Sequence, residues 1–145
     1  MQQLIEYLRH HPYLAGNAAL LIVIVAVYEM RMRAQSFAAL SPMQAVQLMN
    51  QGALIIDVRG KDAYDSGHIG EARNIPAATL ETQAGTLDKW RDRNVIIYCD
   101  NGPAAAAAAG NLAKLGFTKA VSLNGGLNRW IKDNMPVIRS AGGNK

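Results

Sequence analysis

The strongest nucleophile a side chain can supply at neutral pH occurs once in this chain, as Cys99. It closes an apolar, β-branched run, Val95-Ile96-Ile97-Tyr98, and precedes Asp100-Asn101-Gly102-Pro103 and an alanine-rich stretch over 104–115. The run reads as a buried strand, the four residues after Cys99 as a turn, and the stretch as a helix. A sulfur on such a strand–loop–helix junction lies near the first N–H groups of the helix. Those donors and the positive end of the helix dipole favour a thiolate. The expected chemistry is therefore nucleophilic attack by an accessible Cys99, with residues 99–105 as an anion-binding loop; a buried structural cysteine is the alternative. Asp57 and Arg59 end an earlier apolar run. They could pair and hold the loop, or Arg59 could face an anionic ligand; pairing is expected, because strand-end charges are commonly paired.

Positioning these residues requires strands that alternate with helices. Ser41-Pro42 is a helix start, with serine as N-cap and proline at the first helical position, and Gly52 is placed to end that helix. Residues 53–58 form a nearly continuous apolar strand of the kind buried on both faces of a parallel sheet. A loop and helix follow over 76–90, then a charged turn over 91–94 leading into the cysteine strand. Residues 119–123 read as another strand, Gly125-Gly126 as a turn, and 127–134 as a final helix. This order implies an α/β domain with a mainly parallel sheet, whose ligands bind beyond the carboxyl ends of the strands, where Cys99, Asp57 and Arg59 fall. The six alanines at 104–109 suit close packing of a helix on that sheet, and Gly110 inside it suggests a close backbone contact. His68 and Trp130 are expected to be structural.

The 145 residues leave room for one domain and an appendage. Residues 14–28 carry no charge, and 12–30 approach the roughly 20 residues that cross a bilayer. The region before the run is long and contains Glu6, and Glu29-Met30-Arg31-Met32-Arg33 follows it in place of a small-residue cleavage site, which favours an uncleaved anchor over a signal peptide. Arg31 and Arg33 bias the C-terminal portion towards the cytoplasm. The expected organisation is an N-terminal tail (1–11), a transmembrane helix (12–30), a basic linker and short first strand (31–40), one folded domain (41–138) and a flexible tail (139–145). A single cysteine cannot form an intramolecular disulfide. The net charge of +4 is scattered, without a basic stripe interleaved with aromatics, so nucleic acid is not an expected partner.

Three separated segments together resemble the single-domain rhodanese-like family. They are Asp57-Val58-Arg59 with Tyr64, Gly67-His68-Ile69-Gly70, Ala72 and Asn74-Ile75-Pro76; then Tyr98-Cys99-Asp100-Asn101-Gly102; then residues 112–117 with Val121, Leu123, Gly125-Gly126 and Trp130. With the N-terminal span, the chain is similar to the small membrane-anchored bacterial members. The resemblance implies a three-layer α/β/α fold with a five-stranded, mainly parallel sheet and an active loop over 99–104. It also implies a sulfurtransferase that carries sulfur as a persulfide on Cys99, from a small anionic donor such as thiosulfate to a thiol or cyanide-like acceptor, with no metal or organic cofactor. The implied location is the cytoplasmic membrane, with the lipid bilayer and possible membrane proteins as partners. Three residues depart from the family pattern. Ala104 stands where active members often carry arginine or another polar donor, Pro103 has no N–H, and Asp100 puts a carboxylate beside the thiolate. A rival expectation from another class is a degenerate rhodanese fold that binds or regulates membrane proteins. Related cysteine phosphatases need an arginine six residues after the cysteine, where this chain has Ala105.

Overall fold

The computed structural model describes residues 12–36 and 39–140. The chain divides into two units between Ala34 and Gln35. Among its described residues the first is helical, within α1 (Pro12–Ser36), in which Pro12–Met30 is long and apolar enough to cross a membrane and has no buried residue. Helix α1 continues through positions expected to be linker and takes in Ser36, and the described part of the first strand is β1 (Ala39–Leu40). Residues 37–38 of that expected strand, the tail over 1–11, and 141–145 of the C-terminal tail lie outside the described residues.

The second unit is an α/β domain with a five-stranded parallel sheet among the described residues, in the order β1-β5-β4-β2-β3. Its remaining strands are β2 (Leu54–Asp57), β3 (Arg73–Asn74), β4 (Val95–Tyr98) and β5 (Ala120–Leu123). The helices are α2 (Pro42–Asn50), α3 (Lys61–Ser66), α4 (Ala77–Gln83), α5 (Pro103–Lys114) and α6 (Gly126–Lys132), with a 3-10 helix over Ala84–Trp90. Helix α2 begins as expected: Ser41 accepts from the Gln44 N–H, and the Gln44 side chain accepts from the Ser41 N–H in return. Gly52, at φ +85°, follows its end. Helix α3 and strand β3 are too short for sequence periodicity to reveal.

Alternation along the central strands decides which layer each residue enters. Leu54, Ile56, Val58, Val95, Ile97 and Cys99 belong to the core shared with Leu80, Leu87, Ala105, Ala108, Ala109 and Leu112. Ile55, Ile96 and Tyr98 pack into the opposite layer with Ala45, Ile69, Leu127 and Trp130. The alanine run serves the first layer: Ala105, Ala108 and Ala109, at helical spacing, are buried against the sheet, whereas Ala104 and Ala107 are exposed.

Gly110 departs from expectation. It is exposed, and a Cβ built on it would meet nothing within 4 Å. No close backbone approach explains the glycine, so it leaves the helix weaker than alanine would. Gly110→Ala is expected to raise the unfolding free energy of the detergent-solubilised chain by about 0.5–1 kcal/mol. A urea midpoint that stays the same or falls would contradict the open position.

Candidate active site

Strand β4 delivers Cys99 to the carboxyl edge of the sheet, and α5 begins four residues later at Pro103. The intervening turn folds back on the sulfur: Gly102, at φ +115°, donates its N–H to Cys99 Sγ at 3.0 Å. By position, the N–H groups of Ala104 and Ala105 have no intrahelical acceptor, while that of Ala106 is taken by the Gly102 carbonyl. The sulfur thus sits against one directed N–H donor at the positive end of a 12-residue helix. An N–H donor directed at sulfur from the start of a helix is a setting in which a cysteine can serve as a nucleophile.

The expectation of an open thiol is corrected by the packing. Cys99 is 7% exposed, because the residue after Tyr98 still points into the layer that holds Val58 and Ala105. Of the other loop residues, Asp100, Asn101, Pro103 and Ala104 are exposed, Gly102 is half-buried and Ala105 is fully buried.

The loop is clamped from two sides. From α6, the Leu127 and Asn128 N–H groups donate to the Cys99 and Asp100 carbonyls at 2.8 and 3.1 Å, and the Asn128 amide donates to Asn101 Oδ1 at 2.6 Å. Gly126 makes this approach possible. At φ +59°, a Cβ there would lie 2.4 Å from the Cys99 carbonyl oxygen and 2.6 Å from the Asp100 carbonyl carbon. The sequence marks Gly125-Gly126 only as a turn; the close approach to the loop arises from the fold.

From β2, Asp57 and Arg59 form the expected pair. Asp57 is fully buried and accepts from Arg59 Nη2 at 2.7 Å, from Nε at 3.0 and 3.1 Å, and from the Arg59 N–H at 2.9 Å. The same guanidinium donates to the Gly67 carbonyl at 2.6 Å and to Asp100 Oδ1 at 3.2 Å, so it ties the end of β2 to the second residue of the loop. Burial opposes the Arg59 charge, but hydrogen bonding and Coulomb attraction to Asp57, joined by Asp100, outweigh it and hold the pKa above the usual arginine range. Arg59 is consumed in support and leaves no fork for a substrate anion. The Asp100 carboxylate, expected beside the thiolate, leans on this cation. Burial, and then the Asp57 charge, push the Tyr98 hydroxyl up against the opposing Ile69 N–H, which donates to it at 3.0 Å.

Residues of the Gly-His-Ile segment serve structure. His68 stacks on Tyr64 at 3.8 Å between ring centroids, its Nδ1–H donates to the Tyr64 carbonyl, and its backbone pairs with Ile138 through two 2.8 Å bonds. That pairing fixes Ile138, the last position of the expected domain. Asn74 donates to the Arg59 and Asp57 carbonyls, closing the network around β2. Trp130 is buried, with its indole N–H on the Pro136 carbonyl.

Residues 41–133 match the family model described as the rhodanese-like domain. The chain is 28% identical to the uncharacterized protein YibN of Escherichia coli K12 over 141 residues, 96% of this chain and 99% of that protein. It is 33% identical to the thiosulfate sulfurtransferase GlpE of Ectopseudomonas mendocina over 94 residues, covering 65% of this chain and 84% of the relative. Among solved structures it is similar to a rhodanese-related protein from Thermoplasma volcanium, with 27% identity and a TM-score of 0.63 over 69% of this chain and 96% of that one.

Proposed function

Because this chain belongs to the rhodanese-like domain family, we propose that it is a membrane-anchored sulfurtransferase in which Cys99 carries the sulfur. The Cys99 thiolate attacks the outer sulfur of a thiosulfate-like donor, a new S–S bond forms, and the donor's S–S bond breaks to release sulfite with its electron pair. The acceptor, a thiolate or a cyanide-like nucleophile, then attacks the outer sulfur of the persulfide and returns Cys99 as thiolate. The sulfur moves at the sulfane level: the oxidation of Cys99 to persulfide is matched by release of sulfite and undone when the acceptor takes the sulfur. Neither step requires an external oxidant, a metal or an organic cofactor. The observation that carries this reading is the Gly102 N–H directed at Sγ at the start of α5, a contact of use to a charged sulfur. The similarity to thiosulfate sulfurtransferases supports the donor class. For the anchor, support comes from the exposed apolar helix and from a relative matched along nearly the whole chain, helix included. The charge bias at Arg31 and Arg33 supports a cytoplasmic domain on the inner membrane.

Formation of thiocyanate from thiosulfate and cyanide by the full chain tests the activity. Turnover is expected to be slow, because Pro103 withholds an N–H, Ala104 offers no charge, and Arg59 is committed to Asp57 and Asp100. Ala104 is exposed, so an arginine there can reach the anion. Ala104→Arg is expected to raise kcat/KM for thiosulfate about tenfold, equivalent to roughly 1.4 kcal/mol from a charge-assisted hydrogen bond. Wild-type turnover equal to that of an efficient sulfurtransferase, or no change in the variant, would contradict this reading of the loop. The same missing cation favours a second reading, in which the retained cysteine is not turned over and the domain binds or regulates membrane proteins. No thiocyanate from either the wild-type chain or Ala104→Arg would bring that reading forward.

A further inference from the structure

The sulfur acceptor must approach a thiol that is nearly buried, so the surface bordering the loop bears on which acceptors arrive. Helix α6 makes that border. Its Asn128 amide donates to Asn101 Oδ1 at 2.6 Å, which leaves the exposed Asn101 NH2 group as a donor with no partner among the described residues. Gly102, whose N–H meets Sγ, backs onto Gly125: a Cβ on Gly102 would lie 3.5 Å from the Gly125 nitrogen. The stem of Arg129 folds over Gly125 in turn, with its Cβ and Cδ 2.6 and 2.9 Å from where a Gly125 Cβ would stand. It leans towards the start of its helix, as long helical side chains do, and therefore towards the loop. The Arg129 side chain is half exposed, and its one ion pair among the described residues, Nε to Asp133, spans 3.7 Å, beyond hydrogen-bond distance. Lys132 is exposed and forms no ion pair among the described residues. Asn128, Arg129, Lys132 and Asp133 line one open depression, so two loosely held cations face a single carboxylate beside the loop.

Thiosulfate is a poor match for this depression. Its oxygens are borne on the atom bonded to the attacked sulfur and must enter the loop with it, whereas the α6 cations stand beyond Gly125. A thiol with a carboxylate a few bonds from its sulfur matches both places. Resting on the reading of Cys99 as sulfur carrier, we infer that the acceptor is a small thiol bearing a carboxylate, drawn in by Arg129 and Lys132 and oriented by the Asn101 amide. The acceptor thiolate attacks the outer sulfur of the Cys99 persulfide. A new S–S bond forms, the bond to Sγ breaks, and its electron pair returns to Cys99 as thiolate, while the sulfur leaves as the acceptor's persulfide. Charges at an exposed site attract only within a Debye length, so the preference fades as salt is added.

Single-turnover discharge of the sulfur-loaded full chain tests this. Cys99 is loaded with thiosulfate, excess donor is removed, and loss of the added sulfur is followed by intact mass. Thiols of similar size are compared at equal thiolate concentration and low salt: 3-mercaptopropionate, 2-mercaptoethanol and cysteamine, which carry a carboxylate, no further charge and an ammonium group respectively. The carboxylate thiol is expected to discharge the persulfide about fivefold faster than the neutral one, with cysteamine slowest. Combining Arg129→Gln with Lys132→Gln is expected to bring that ratio below about twofold, whereas Lys114→Gln, a cation lost at the far end of α5, keeps it. A ratio near one in wild type, or one that survives the double variant, would overturn the acceptor class and leave Cys99 as sulfur carrier. A chain that takes up no sulfur would overturn the carrier, and this inference with it.

Discussion

Cys99→Ser is expected to abolish sulfur transfer, with thiocyanate formation falling below detection in the wild-type background and in Ala104→Arg alike. The substitution is nearly isosteric, and the hydroxyl can still accept the Gly102 N–H that now meets Sγ at 3.0 Å. Fold and loop should therefore survive, as circular dichroism and the unfolding midpoint would show. Chemistry is lost because a serine hydroxyl is not ionised near neutral pH, and the adjacent Asp100 carboxylate is held by Arg59. His68, the histidine of the motif, spends its Nδ1–H on the Tyr64 carbonyl and its ring face on Tyr64. Residual turnover in Cys99→Ser would assign the sulfur to another atom.

A loss nearly as large is expected from a residue that touches no substrate. Gly126→Ala places a methyl group 2.4 Å from the Cys99 carbonyl oxygen and asks alanine to hold φ +59°. The left-handed conformation alone costs roughly 1–2 kcal/mol. The contact costs more, since the atoms in the way are backbone and cannot rotate aside. Relief requires the loop to move off α6, breaking the bonds from Leu127 and Asn128 to the Cys99 and Asp100 carbonyls. A shift of about 1 Å at a reacting centre can cost on the order of 100-fold in rate, and that loss in sulfur loading is expected. The control is Gly110→Ala, the same chemical change in open space. Gly126→Ala with wild-type turnover would mean that the loop is not held by α6.

Much of this arrangement is legible in the residues. The apolar runs around Ile55 and Ile97, each closed by a polar or nucleophilic residue, place Asp57 and Cys99 at strand ends because buried parallel strands leave chemistry only at their edges. Ser41-Pro42 announces a helix start through a local hydrogen bond that the sequence alone can specify. What escapes are features made by distant parts of the chain. The Arg59–Asp100 contact joins residues 41 positions apart, and only the β2–β4 register, Asp57 opposite Tyr98, brings them together. The burial of Cys99 follows from alternation along β4 continuing one residue past the strand, into the layer covered by α5. The Gly126 contact needs the return of α6 across the sheet edge. Gly110 misleads for the opposite reason: a glycine in a helix suggests a close neighbour, and the fold supplies none.

The central claim, sulfur carried on Cys99, is tested most directly by intact-mass spectrometry of the purified full chain after incubation with thiosulfate and removal of excess donor. The account predicts a mass gain of one sulfur atom, mapped by peptide analysis to Cys99, removed by a thiol reductant or by cyanide, and absent in Cys99→Ser. An unchanged mass in wild type and in Ala104→Arg, with the fold intact, would contradict it.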